Sequence, residues 1–147
     1  MNLQSILLVE DNDDDAELTA MAFREANIAN PIVRVKDGLD ALACLHGPSA
    51  AGDSVSLPVV VLLDLKLPRL SGLEVLKRIR SNESTRRLPV VVLTSSDEDS
   101  DRLAAYDQLA NSYVRKPVDY DQFVAASRGL GLYWTVTNVP PPLRREE

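Results

Sequence analysis

The sequence predicts an α/β fold in which a parallel sheet is covered by helices on both faces. Five short apolar runs recur along the 147 residues. Their length and their β-branched content are typical of strands that are buried on both faces. Segments with apolar residues at helical spacing lie between the runs. Because parallel neighbours need a crossover, and the crossover is normally a helix, this alternation favours a doubly wound sheet.

The elements can be assigned in chain order. The predicted strands are Ile6 to Val9, Ile32 to Val35, Val59 to Leu63, Val90 to Leu93 and the weaker Tyr113-Val114. Helical spacing occurs at Leu18, Met21 and Ala22, at Leu73, Leu76 and Ile79, at Leu103, Tyr106 and Ala110, and at Phe123, Ser127, Leu130 and Trp134. Asp37-Gly38 breaks the second strand, and Leu88-Pro89 sets off the fourth.

Two segments lack a regular period. Residues 47–57 are expected to form a loop. Residues 135–147 contain Pro140-Pro141-Pro142, so we expect an extended tail there, after a single domain made of residues 1–134.

The composition restricts the class of protein. An apolar share of 45% supports one full hydrophobic core. The net charge of −6 argues against a sequence-independent nucleic-acid binder, which needs a basic face. No stretch approaches the roughly 20 apolar residues of a membrane span, and no signal peptide is evident, so we expect a cytoplasmic protein. Cys44 is the only cysteine and is expected to be a small core residue.

Polar residues follow four of the five apolar runs. Glu10 and Asp11 follow the first, Asp64 the third, Thr94 the fourth and Lys116 the fifth. Ligands of open α/β sheets bind outside the carboxyl ends of the strands, so these side chains are expected to converge at one edge. Each has an ordinary explanation when it is taken alone, such as a helix cap, a turn acid or a solvated lysine. The combination indicates a functional site.

The residue types of this set favour phosphoryl chemistry. Three carboxylates in one cleft repel one another unless a cation compensates them. Mg²⁺ prefers such oxygen ligands, together with waters and phosphate oxygens. A carboxylate can also accept a phosphoryl group, whose oxygens then need a metal, a lysine and hydrogen-bond donors. Lys116 and Thr94 would supply the lysine and a donor.

Four segments resemble the response-regulator receiver family, in order, between about residues 4 and 128. They are Leu7-Leu8-Val9-Glu10-Asp11, Leu63-Asp64-Leu65-Lys66-Leu67-Pro68, Val91-Val92-Leu93-Thr94-Ser95 and Tyr113-Val114-Arg115-Lys116-Pro117. The resemblance implies a flavodoxin-like fold with five helices and a five-stranded parallel sheet in the order 2-1-3-4-5. It also implies a phospho-accepting signalling domain and not an enzyme, with self-phosphorylation and autodephosphorylation as its only chemistry.

The resemblance assigns the acidic residues to two roles. Asp64 would be the phosphoacceptor. Asp11, Asp64 and the backbone carbonyl of Lys66 would bind Mg²⁺ or Mn²⁺, and Glu10 would act through water. Lys66 lies two residues after the phosphoacceptor, where side chains of the family tune the lifetime of the phosphoryl group.

The resemblance also assigns the residues of the last two strands. Lys116 would contact the phosphoryl group, and the hydroxyl of Thr94 would move inward to hydrogen-bond it. Tyr113 would be the aromatic switch residue that rotates with Thr94. The bond between Lys116 and Pro117 would be a cis peptide.

Three stretches near the C-terminus are similar to a narrower group, the small stand-alone regulators that partner bacterial phytochrome kinases. They are Ala110 to Tyr113, Pro117 to Phe123, and Leu132-Tyr133-Trp134. This likeness implies a sensor histidine kinase as partner, a bacteriophytochrome in particular. The net charge and the lack of a long apolar stretch predict no nucleic-acid partner and no membrane partner.

The same likeness implies a homodimer through the face made by the fourth helix, the fifth strand and the fifth helix. The apolar stripe of Phe123, Leu130 and Trp134 is expected to extend that face. The alternative is that Trp134 and the tail fold back on their own domain.

Other functions compete with this interpretation. Asp11, Asp13 and Asp15 have the spacing of a calcium loop, but Ala16 and Ala22 replace the glycine and the glutamate that such a loop needs, so the extra acids are expected to form a solvated helix start. A phosphatase of the haloacid dehalogenase type also has an aspartate after a central strand, but it needs an acid where this chain has Lys66. A degenerate receiver that only binds proteins would have lost Asp64 or Lys116.

Overall fold

A computed structural model describes residues 3–46 and 57–142. Its five strands are β1 (Ile6–Val9), β2 (Ile32–Val35), β3 (Val60–Leu63), β4 (Val90–Thr94) and β5 (Ser112–Arg115). All neighbouring strands are parallel, in the order β2-β1-β3-β4-β5. The flavodoxin-like prediction is therefore confirmed.

A helix follows each strand and crosses to one of the two faces of the sheet. The helices are α1 (Asp13–Glu25), α2 (Gly38–His46), α3 (Gly72–Ser81), α4 (Asp99–Asp107) and α5 (Tyr120–Leu132). Helices α1 and α5 pack on one face, and α2, α3 and α4 contribute to the core on the other. No helix within residues 3–46 and 57–142 is long and apolar enough to cross a membrane.

Burial separates the three central strands from the two edge strands. Every residue of β1, β3 and β4 is buried, whereas β2 and β5 are only partly covered. Alternate residues of a strand point to opposite faces, so Leu7 and Val9 pack with α2 and α3, and Ile6 and Leu8 pack with α1. A polar residue that directly follows one of these strands therefore lies at the rim of a rigid apolar core.

The connection between β1 and α1 is very short and fixes two of the predicted site residues. Only Glu10, Asp11 and Asn12 separate the two elements. The side chain of Asn12 caps α1 by accepting a hydrogen bond from Asp15 N at 2.9 Å. Glu10 and Asp11 are thus held between the end of a buried strand and a capped helix.

The C-terminal segment differs from the sequence prediction. Tyr133–Thr137 form a π-helical turn that continues α5, so residues 135–137 are helical and the prediction of an extended segment is wrong there. The helical hydrogen bonds persist because no proline follows the start of α5 until Pro140. Thr135 Oγ1 also donates to Gly131 O at 2.6 Å. Extended backbone begins at Asn138. Residues 143–147 and the loop segment 47–56 lie outside the described residues.

One expectation about an individual side chain is also wrong, and the contacts of the predicted apolar stripe are now defined. Cys44 is exposed, because α2 turns Ala41 and Leu45 toward the core and leaves Cys44 on the outer side. Phe123 is buried, and Leu130 and Trp134 pack against the core on the α1 side. These side chains therefore contact their own domain, and the extension of a dimer face by this stripe stays a prediction.

Candidate functional site

The polar residues predicted from the strand ends lie together at the carboxyl edge of the sheet. Glu10, Asp64, Thr94 and Lys116 are all buried, and Asp11 is exposed beside them. Each follows or ends a strand of one parallel sheet, so the fold itself brings the side chains together. A lysine and two acids in a buried position need one another, because an unpaired buried charge is costly.

Lys116 is the electrostatic centre of the site. Its Nζ lies 2.7 Å from Glu10 Oε1, 2.9 Å from Asp15 Oδ2 and 2.9 Å from Asp64 Oδ2. Its backbone N donates to Thr94 O at 2.7 Å, which fixes the residue against the end of β4. The three donors of the ammonium group can thus be shared among three carboxylates.

The ionisation of the site reflects both burial and charge. Burial raises the pKa of Glu10 from 4.5 to about 7, although the neighbouring Lys116 opposes the shift. Burial alone would lower the pKa of Lys116, but the three carboxylates outweigh it, and the net shift is upward. The upward shift in its pKa keeps Lys116 charged at neutral pH, whereas the raised pKa of Glu10 makes this buried carboxyl group easier to protonate than an ordinary glutamate.

Both carboxylate oxygens of Asp64 have partners. Thr94 Oγ1 donates to Asp64 Oδ1 at 2.8 Å, and Lys66 N donates to the same oxygen at 3.2 Å. Lys116 Nζ donates to Asp64 Oδ2 at 2.9 Å. Asp64 N also donates to Val9 O at 3.1 Å, which extends the pairing of β3 with β1 to the site. The carboxylate is consequently held in one orientation by three donors.

The acids of the site fit a small divalent cation. Glu10, Asp11 and Asp64 each offer a carboxylate oxygen, and these atoms all lie within 4.8 Å of one another. Hard oxygen ligands with one side open to solvent suit Mg²⁺ or Mn²⁺, which retain several waters. The carbonyl of Lys66, predicted to be a further ligand, stays a prediction.

Two residues of the site were missed in the sequence. Asp15, expected in a solvated helix start, is half-buried and reaches Lys116. Its signal was its position in the first turn of α1, directly after the short connection that carries Glu10 and Asp11. Arg34 donates from Nε to Glu10 O at 2.8 Å and lies with Nη2 2.9 Å from Asp13 Oδ1. It was not predictable, because it comes from the edge strand β2.

The predicted switch residue Tyr113 is connected to the loop after β4. Its Oη donates to Ser96 O at 3.2 Å, and Ser96 Oγ donates to Asp101 Oδ2 of α4 at 2.6 Å. Ser96 N in turn donates to Thr94 Oγ1 at 3.4 Å. These contacts link the phosphoacceptor candidate to α4 through Thr94. The role of Tyr113 in a switch stays a prediction.

The peptide bond before Pro117 differs from the expectation. The described residues contain no cis peptide bond, so the bond between Lys116 and Pro117 is trans and the predicted cis bond is wrong for this structure. The trans form is the intrinsically preferred isomer of a bond before proline, by about 0.5–1 kcal/mol. It is compatible with all three ion pairs of the lysine.

The doubly wound fold and the acid, hydroxyl and lysine set at its carboxyl edge define a class of signalling domain. The family model of the response regulator receiver domain matches residues 6–128, and the chain belongs to this family. Receiver domains are phospho-accepting signalling domains that bind a divalent metal and are partnered by histidine kinases.

Two curated relatives match nearly the whole chain. The response regulator Rcp1 of Synechocystis is 35% identical over 136 residues, which is 92% of this chain and 92% of the relative. The probable methanogenesis regulatory protein FilR2 of Methanothrix harundinacea is 40% identical over 92% of this chain and 86% of its own.

Solved structures agree with the sequence relatives. The phosphorylated cyanobacterial phytochrome response regulator RcpA superposes with a TM-score of 0.88 at 34% identity, covering 95% of this chain and 99% of that one. The Mn²⁺-bound form of Rcp1 gives 0.87 at 33% identity with the same coverage. The bacteriophytochrome response regulator RtBRR gives a TM-score of 0.73 at 46% identity, and the match covers 96% of this chain and 86% of the RtBRR chain.

Proposed function

We propose that this chain is a response regulator in which Asp64 accepts a phosphoryl group from a sensor histidine kinase in a Mg²⁺-dependent reaction. The observation that carries the proposal is the environment of Asp64, a carboxylate at the end of a central strand with donors on both oxygens and two further acids within metal-ligand reach. The coverage of 92% of Rcp1 supports a regulator of this size.

The chain's own residues can carry out each part of the transfer. A carboxylate oxygen of Asp64 attacks phosphorus, an O–P bond forms, and the P–N bond to the donor histidine breaks, so that the electron pair stays on the leaving imidazole. The ammonium of Lys116 and the hydroxyl of Thr94 already contact Asp64, and they would donate to the phosphoryl oxygens once these arrive.

The metal site would contribute charge at the same place. Glu10, Asp11 and Asp64 would hold the cation, directly or through water. When it is bound, the cation neutralises charge on the transferring oxygens. Hydrolysis of the resulting acyl phosphate would return the carboxylate, which is the autodephosphorylation expected of this family.

The proposal is tested by labelling the protein with a small phosphodonor in the presence of Mg²⁺. We expect stoichiometric label on the wild type, none on Asp64→Asn, and label on Asp14→Asn, a matched control that removes an exposed acid of α1. Hydroxylamine should release the label, since the label is an acyl phosphate. Chelation of Mg²⁺ should prevent the labelling reaction. Label on the Asp64→Asn variant would refute the assignment.

The same assay separates the competing functions. A phosphatase of the haloacid dehalogenase type would turn over a phosphate ester many times without accumulating label. This chain has Lys66 where such an enzyme has its second acid, and Lys66 contributes its backbone N to Asp64. A module that only binds proteins would show neither label nor turnover.

We further propose a phytochrome-type histidine kinase as the phosphodonor. Support comes from the likeness to the cyanobacterial phytochrome regulator RcpA and to the bacteriophytochrome regulator RtBRR. Phosphotransfer from a panel of purified histidine kinases should be fastest from a phytochrome kinase. Equal or faster transfer from kinases of other sensor classes would contradict this partner.

We also propose a homodimer through the face made by α4, β5 and α5. Exposed apolar side chains on these elements support it, among them Leu103 and Tyr106 on α4 and Tyr120 on α5. Light scattering should give the mass of a dimer for the wild type and of a monomer for Leu103→Glu. Val33→Glu, on the opposite edge strand, serves as the control and should stay dimeric. A monomeric wild type at every concentration, with and without phosphorylation, would exclude this face.

A further inference from the structure

Asp15 is the only partner of Lys116 that does not belong to the acidic metal cluster in the described part of the chain. The ammonium contacts Glu10, Asp15 and Asp64, whereas the cluster consists of Glu10, Asp11 and Asp64. We propose that Asp15 is a positioning residue, which holds the Lys116 ammonium beside the metal site and so allows the cation to enter. This inference rests on the proposed function of the site.

The need for such a residue follows from competition between two cations. The ammonium lies 2.7 Å from Glu10 Oε1 and 2.9 Å from Asp64 Oδ2, so it already neutralises two of the three acids that would hold the metal. Glu10 and Asp64 would have to exchange the ammonium for the divalent cation as their partner, because the two positive charges would repel each other. Lys116 must then lose part of its compensation in a position where an unpaired charge is costly.

Asp15 is suited to keep Lys116 paired during this exchange. Its side chain is 27% exposed, against 7% for Asp64 and 4% for Glu10, so its charge is better solvated than theirs. Both backbone polar groups of Asp15 are held by side chains. Its N–H donates to Asn12 Oδ1, and its carbonyl oxygen accepts from Thr19 Oγ1, each at 2.9 Å. The carboxylate therefore stays at the rim of the site, where the ammonium can remain after the metal has bound.

A matched pair of variants separates the contribution of the Asp15–Lys116 contact to Mg²⁺ affinity from the contribution of negative charge alone. Asp15→Asn and Asp14→Asn each remove one negative charge from the first turn of α1, but only Asp15 contacts Lys116 within the ion pairs described. We expect Asp15→Asn to weaken Mg²⁺ binding at least about threefold more than Asp14→Asn, measured by calorimetry at fixed pH and salt. Asp15→Glu should restore most of the affinity, since it retains a carboxylate within reach of the lysine.

A second comparison tests whether the effect passes through Lys116. In a Lys116→Met background, Asp15→Asn and Asp14→Asn should change the Mg²⁺ affinity equally, because no ammonium is left to hold. Equal affinities of the two variants in the wild-type background, or an excess effect that persists without Lys116, would overturn the inference. Failure of the wild type to bind Mg²⁺ would instead refute the proposed metal-dependent function. Circular dichroism of each variant establishes that it is folded.

Discussion

Replacement of Gly72 by alanine should disturb both the stability of the fold and the position of the phosphoacceptor. Gly72 is the first residue of α3, and its N–H donates to Leu65 O at 2.9 Å. A Cβ atom at this position would collide with the carbonyl oxygen of Asp64 and would lie 2.6 Å from Leu65 Cα. Both are backbone atoms, so no side-chain rotation can relieve the contact. Either α3 or the turn after β3 has to move.

The size of the effect follows from this geometry. Overpacking of a tightly packed site typically costs about 1–3 kcal/mol, and a collision with backbone belongs at the upper end of that range. For a domain of this size, a loss of about 3 kcal/mol lowers the unfolding temperature by roughly 6–12 °C. Gly129 provides the control, because a Cβ there would meet no atom within 4 Å. Gly129→Ala should stabilise the protein by about 0.5–1 kcal/mol, since it lies within α5.

Urea unfolding and phosphodonor labelling together test the prediction. Gly72→Ala should show a lower urea midpoint than the wild type. It should also be labelled more slowly, because the Cβ would press on the backbone of Asp64 itself and of the adjoining Leu65. Gly129→Ala should be labelled at the wild-type rate. If Gly72→Ala were within about 0.5 kcal/mol of the wild type, the range of ordinary surface substitutions, the packing argument would be wrong.

Three further substitutions test the charges and hydrogen bonds. Lys116→Met leaves three carboxylates without their ammonium. The free energy of unfolding of the metal-free protein in urea should therefore fall by about 3 kcal/mol. The affinity for Mg²⁺, measured by calorimetry, should rise at least about tenfold. Ser127→Ala removes a buried hydroxyl that has no hydrogen-bond partner among the described residues, so urea unfolding should show unchanged or higher stability. The backbone N–H of Asp40, and then Arg69, hold the pKa of Asp37 below its usual 3.8. The lowered pKa means that ionised Asp37 stabilises the fold above pH 3.8, and this stabilisation is lost as the pH falls further. Asp37→Asn should therefore be less stable than the wild type in urea unfolding at pH 7. The difference should vanish when the unfolding is repeated in acid.

Most of the fold was predictable because burial on both faces leaves a strong sequence signal. Residues 60–63 and 90–94 are wholly buried strands, and such strands are typically near-continuous apolar runs rich in valine, isoleucine and leucine. The C-terminal segment was harder to predict. Whether residues 135–137 are helical or extended depends on local backbone hydrogen bonds, such as the one from Asn138 N to Tyr133 O. The direction of Trp134 depended on a close approach of α5 to α1, and helical spacing alone does not specify which neighbour a side chain meets.

The candidate site was predictable as a set of positions but not as a set of contacts. Asp64 and Lys116 each follow a strand, and the parallel sheet brings the strand ends to one edge whatever the side chains do. The distribution of the ammonium among three acids depends on distances that the sequence does not contain. Asp15 was therefore taken for a solvated helix start, and the contribution of Arg34 from the edge strand was not foreseen.

The site holds more negative than positive charge, and this imbalance connects its chemistry to its stability. Lys116 is the only cation in contact with Glu10, Asp15 and Asp64 among the ion pairs described, and Asp11 adds a fourth carboxylate beside them. Burial raises the pKa of Glu10 to about 7, so Lys116 compensates the burial of this carboxyl group only in part. A cation that binds the folded chain and not the unfolded one stabilises it by RT ln(1 + [L]/Kd), about 2.7 kcal/mol at a hundredfold excess over Kd. The acids that make the metal-free site less stable are therefore the same groups that would make Mg²⁺ binding favourable.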